Sequence, residues 1–156
     1  MRNQKLVYVI SVLMIEALGF AVGMLTRTGT QLYAQSINKP PLSPPGVVFP
    51  VAWTILYALM GIGLARILLS TPSGDRTIAI MLFAVQLLLN LAWCFIFFGS
   101  QNYLLALIEL VIMLAVVVIM IVFYRKIASV AAGLQIPYVL WLCFATYLNL
   151  GVLLLN

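Results

Sequence analysis

Between Arg76 and Arg125 the only charged side chain is Glu109, and from Ile127 to Asn156 there is none. About 20 consecutive apolar residues make one helical crossing of a bilayer. Inside lipid the backbone must satisfy its own hydrogen bonds, which a helix does within the segment. Hydrophobic residues make up 65% of the chain and charged ones 7%, against roughly a quarter charged in a soluble domain. The chain therefore reads as an integral membrane protein, a single domain over residues 1–156. The expected fold is all-α, a bundle of five transmembrane helices over about Leu6–Thr26, Val47–Leu69, Thr77–Phe98, Tyr103–Tyr124 and Ala132–Leu155. A polar loop is expected from Thr28 to Ser43, a hydrophilic turn from Ser70 to Arg76, and tight connections at Gly99–Asn102 and near Ser129. The first apolar run is followed by Thr26-Arg27-Thr28-Gly29 rather than a small-residue cleavage site, so it reads as a retained span.

Five spans put the two ends on opposite sides. One side collects Arg2, Lys5, Arg66, Arg76, Arg125 and Lys126, the other only Arg27 and Lys39. The excess of basic residues marks the cytoplasmic face. The N-terminus is thus expected inside, in a bacterial cytoplasmic membrane, with the loop after the first helix facing outward. A net charge of +5 without a basic patch argues against nucleic acid as a partner. The chain has no histidine, which excludes His-based triads and His-ligated metal or haem iron. Cys94 and Cys143 are distant and sit in apolar runs, so neither a disulfide framework nor a metal site is expected.

Sequence-specific chemistry begins in the Pro-rich stretch. Pro40, Pro41, Pro44, Pro45 and Pro50 precede Trp53, Tyr57 and Gly61. Proline fixes φ and removes a donor, so this run predicts a stiff extended lid leading into a helix whose first turn accepts Pro50. In the third span Gln86, Asn90, Trp93 and Phe97 fall on one stripe, and in the fifth Tyr138, Trp141, Ala145 and Asn149 do the same. Lipid cannot satisfy the Asn90 amide, so its stripe should face protein or a cavity. Each tryptophan alone has a second reading as an interfacial anchor. Jointly they point to an apolar pocket oriented by a few polar groups, with the lid and three helices as walls.

Two acids lie at membrane depth, Glu16 and Glu109, and each has two readings. One is a functional carboxyl, proton-linked in the case of a transporter; the other is a packing residue satisfied by a neighbouring helix. Gly19 and Gly23 form a small-xxx-small pair that suits close packing within the bundle or between copies.

The chain also carries Lys39-Pro40, Pro44-Pro45, Phe49-Pro50-Val51, Trp53 and Leu56-Tyr57. Leu89-Asn90-Leu91-Ala92-Trp93 with Phe97-Phe98 follow, then Pro137-Tyr138, Trp141, Phe144-Ala145 and Leu148-Asn149. In this order the motifs resemble the TspO/MBR family, the tryptophan-rich sensory proteins and the mitochondrial translocator or peripheral-type benzodiazepine receptor. The resemblance covers essentially the whole chain. It implies a five-helix bundle, commonly a homodimer, with a ligand cavity beneath the first loop. The ligands it implies are porphyrins and other tetrapyrroles, sterols in mitochondrial members, and isoquinoline carboxamide and benzodiazepine-type drugs; no cofactor is covalently bound. By position Trp53 and Asn90 are implied as polar contacts to a ligand carbonyl, and Trp93, Phe144, Ala145 and Leu148 as walls. Tyr33, Pro44, Pro45, Tyr57, Glu109 and Trp141 complete the expected ligand-binding set. Trp141, and with it Trp93, would serve porphyrin photodegradation if the chain is an enzyme at all, since no catalytic triad is visible.

The chain departs from the family pattern in four places, the mildest being Glu109, where many relatives have an aspartate. Leu42 stands where many members have tryptophan between the proline pairs, and Leu32-Tyr33 replaces Trp-Tyr, which reduces the aromatic content of the lid. No Lys or Arg follows Asn149, as the sterol motif of mammalian members would require. These differences favour a receptor or translocator for tetrapyrrole-like ligands. Light- and oxygen-dependent porphyrin breakdown and proton-coupled export remain as alternatives.

Overall fold

The computed structural model describes residues 2–156 and, among these, contains helices and no strands. The helices are α1 (Arg2–Leu25), α2 (Arg27–Ser36), α3 (Val48–Leu68), α4 (Gly74–Cys94), α5 (Tyr103–Ile127), α6 (Ser129–Gly133) and α7 (Ile136–Leu155). A π-helical turn, Phe95–Gly99, extends α4. Five segments are long and apolar enough to cross a membrane: α1, α3, α4 with its π turn, α5, and α6 joined to α7. This is the expected five-span, all-α bundle.

The stretch expected as a polar loop is in large part helix α2. Its polarity belongs to one face only. Tyr33 packs edge-on to Phe97 and Phe98 at centroid distances of 5.5 and 5.6 Å, and Gly29 lies so close to the Phe98 carbonyl that a Cβ would collide with it. Lys39 closes the helix by donating to the Ala34 carbonyl at 2.9 Å, where a cation meets the negative end of the dipole. Only residues 37–47 remain as the Pro-rich connection.

Prolines sit where helices accept them. Pro50 is the third residue of α3 and Pro137 the second of α7, positions whose N–H groups have no intrahelical acceptor. The last span is interrupted just before Pro137, at Leu134–Gln135 between α6 and α7. At the α3–α4 turn Ser73 accepts from the Arg76 N–H at 3.1 Å as an N-cap. The Arg76 guanidinium donates to the Ile67 and Leu68 carbonyls at 3.1 and 2.6 Å, satisfying the open end of α3.

Around the bundle α1 packs along α3, α4 along α5, and α5 along α7, while α6 wedges against α3 and α5. Gly61 lets α1 and α3 touch backbone to backbone: a Cβ there would lie 2.6 Å from Val12 Cα. Gly19 faces the Tyr57 ring, which would meet any added Cβ, while Gly23 faces open space. Of the Gly19–Gly23 pair, Gly19 therefore serves packing within the chain. The core between these helices is fully buried and apolar, with Ile15, Met60, Ile67, Met113, Val117 and Met120 at its centre. Charged groups are confined to the ends, apart from Glu16 and Glu109.

Candidate functional site

The helices bring one line of donors together at mid-bundle. The Tyr57 hydroxyl of α3 donates to Asn90 Oδ1 at 2.8 Å, Asn90 Nδ2 donates to the Tyr138 hydroxyl at 2.9 Å, and that hydroxyl donates to Met113 Sδ at 3.4 Å. Asn90 is only 2% exposed, so these partners replace what lipid cannot offer. One N–H of its amide and one lone pair of its oxygen remain uncommitted. A second line ties α4 to α7 and α5. Trp93 Nε1 donates to Asn149 Oδ1 at 3.2 Å, and Asn149 Nδ2 to the Tyr103 carbonyl at 2.9 Å.

Above the Asn90 line the wall is aromatic. Trp53 lies 5.2 Å from Tyr57 and 6.1 Å from Trp141, the latter pair edge to face. Phe49 meets Trp141 edge-on at 6.0 Å. On the far side Trp93 stacks on Phe97 at 4.6 Å, and Phe97 in turn meets Tyr33. Between the two groups is a small cavity of about 10 Å³, lined by Trp53, Asn90, Trp93, Leu110, Met113, Leu142 and Ala145. A pocket for a drug-sized ligand is on the order of 300–1,000 Å³. The site as it stands is closed, its space taken by aromatic side chains.

Of the residues expected at the site, Trp53, Asn90, Trp93 and Ala145 meet in this wall, and Tyr57 buttresses it through Asn90. Trp141 backs Trp53 from outside, with Phe144 behind it at 5.8 Å. Leu148 is buried but outside the cavity wall. Tyr33 stands behind Phe97, under α2. Burial, and after it the Tyr103 phenol, raise the Tyr33 pKa above its ordinary value. It therefore stays neutral and takes Lys39 against its ring face at 5.1 Å. Pro44 is half-buried and Pro45 exposed in the lid. Glu109 is off the cavity wall, buried, with neither oxygen hydrogen-bonded among the described residues. Glu16 is half-buried on α1. No group of three or more His, Cys, Asp or Glu side chains able to hold a metal occurs among the described residues.

The sequence stripes do not show Leu110, Met113 and Leu142. The α5 contribution is invisible because, Glu109 aside, the middle of that helix is apolar on every side; only three-dimensional contact distinguishes its inner face.

The lid over this wall is fastened to α7. The Tyr147 hydroxyl donates to the Pro41 carbonyl at 2.7 Å, and Asn38 and Asn156 exchange hydrogen bonds at 3.0 and 2.9 Å. Pro40 seats on Gly151, where a Cβ would collide with its ring. Within the lid, Ser43 bonds back to the Pro40 carbonyl, and Leu42 takes a φ of 65° at the tip, 82% exposed.

A sequence model of the TspO/MBR family matches residues 11–155. The chain is 34% identical to the tryptophan-rich protein TspO of Chlorobaculum tepidum, over 100% of this chain and 99% of that one. It is 37% identical to the protein of the same name from Archaeoglobus fulgidus, covering 95% of each. To the translocator protein of Bos taurus it is 35% identical, over 84% of this chain and 79% of the relative.

Proposed function

Because the chain belongs to the TspO/MBR family, we propose that it is a membrane receptor and translocator for porphyrins and related flat hydrophobic ligands, carbonyl-bearing drugs included. The observation that carries this reading is the cavity wall itself. Trp53 and Trp93 both line a space whose amide-bearing wall residue, Asn90, keeps an uncommitted N–H and lone pair. Planar ligands gain from stacking on indoles, and the free amide N–H orients a ligand carbonyl. The reading includes a homodimer in the bilayer and a cytoplasmic N-terminus, the latter supported by the clustering of basic residues on one side.

Protoporphyrin IX titrated into the purified protein in lipid nanodiscs should quench tryptophan fluorescence saturably. Ala145→Phe, which projects a ring into the cavity, should weaken that binding by about tenfold or more, as expected for a bulky group forced into a packed wall. Quenching that never saturates, or equal affinity in the variant, would refute the assignment.

A second reading has its own observation. The Glu109 carboxyl is buried at membrane depth without a hydrogen-bond partner among the described residues, a costly placement that in membrane proteins marks proton-linked sites. If the protein couples export to protons, Glu109→Gln should abolish pH-gradient-driven porphyrin movement in proteoliposomes while leaving binding intact. Full transport by that variant would discard the coupling.

A further inference from the structure

We infer that hydrophobic ligands reach the cavity sideways, out of the lid-side leaflet of the bilayer, through the seam between α3 and α7; this rests on the ligand-binding reading above. The cavity is nearly filled, so something must move before a ligand can bind. Among the described residues every long-range hydrogen bond of the lid runs to α7 or the residue that caps it, through Tyr147, Leu155 and Asn156. The lid therefore moves with α7 rather than lifting from it.

The helix α3 belongs to a different body. Gly61 locks it against Val12 of α1, and Tyr57 lies against Gly19. Although α3 and α7 are neighbours around the bundle, their backbones make no extended packing contact. At the end away from the lid α6 closes the gap between them. On the lid side rings bridge it, half-buried Phe49 and Trp53 from α3 against half-buried Trp141 from α7, with buried Tyr138 of α7 meeting Trp53 edge-on at 6.3 Å deeper in. Both helices carry apolar residues on their outer surfaces, Ile55 of α3 and Leu140 of α7 being 56% and 65% exposed, as lipid-facing helices require. At its base the Tyr57–Asn90–Tyr138 bonds pin α3 to α7 through α4. The seam can thus open at the lid end while remaining hinged at mid-bundle. Phe49 touches Trp141 but does not line the cavity, which assigns it to the gate rather than to the ligand.

The test uses the full chain in phosphatidylcholine vesicles, with protoporphyrin IX as the probe and stopped-flow tryptophan quenching as the readout. For the unaltered protein the association rate should follow the porphyrin-to-lipid ratio in the bilayer, not the free aqueous concentration. Phe49→Ala should raise association and dissociation rates together by about three- to tenfold, as loss of an edge-to-face contact implies, with affinity unchanged. Tyr147→Phe combined with Asn156→Ala, which unfastens the lid, should leave both rates unchanged. A rate that follows the aqueous concentration would overturn the route, as would faster binding in the lid variant with none in Phe49→Ala. The lipid dependence decides even if Phe49→Ala does not fold. Absence of any binding by the unaltered protein would instead defeat the ligand-binding reading.

Discussion

Asn90→Leu should lower the stability of the purified protein by about 1–3 kcal/mol, since interhelical hydrogen bonds in membrane proteins average roughly 0.6 kcal/mol and reach about 1.7, and two are lost. Leucine fits the volume but leaves the Tyr57 hydroxyl without its acceptor and the Tyr138 hydroxyl without its donor, in a region where both phenols are buried. Tyr138 retains Met113 as an acceptor, so Tyr57 should bear most of the penalty. Adding Tyr57→Phe should therefore recover part of the loss, because the orphaned group is then removed. Protoporphyrin IX binding should not recover in the double variant, since the amide is still missing. Thermal unfolding by circular dichroism and a fluorescence titration separate the two effects. A double variant no more stable than Asn90→Leu would show that the bonds contribute little.

Gly61→Val should be more disruptive than its size suggests. The added Cβ meets Val12 Cα at 2.6 Å and Val12 N at 2.9 Å, so the obstacle is backbone and no side-chain rotation relieves it. Forcing α1 and α3 apart also withdraws Gly19 from Tyr57, and with it the support beneath the Asn90 line. Overpacking of this kind costs about 1–3 kcal/mol or more, and the variant should lose folded protein on extraction into detergent. Val12→Ala should fail to rescue it, because the clash is with main-chain atoms. Rescue by that change, read as recovery of the thermal midpoint, would place the contact at the side chain instead.

The spans could be read from the sequence because lipid imposes one requirement on every residue within them, and an uninterrupted apolar run reports it directly. The site was partly legible for the same reason. Asn90, Trp53 and Trp93 stand out against an apolar background, and their helical spacing places them on inward faces. Three features were hidden by weaker signals. In α2 the polar outer face masked the i, i+4 pair of Gly29 and Tyr33, which only the packing against Phe97 and Phe98 reveals. The α5 wall, Leu110 and Met113, belongs to a helix with no polar residue to mark which side faces in, apart from Glu109, which misses the cavity. The fastening of the lid depends on Asn38 meeting Asn156, a pairing 118 residues apart in sequence that no local pattern encodes. The closed state of the cavity has the same origin, since ring orientations are set by contacts among three helices.

The Asn38–Asn156 pair also bears on how the protein is handled. An affinity tag appended after Asn156 begins at the clasp that holds the lid, and its first peptide bond must leave through that contact. With five spans, a tag on the amino-terminal side of the first helix lies across the bilayer from it. The two tagged forms should therefore differ in thermal midpoint while sharing their ligand rates, and the amino-terminal form reports the native fastening.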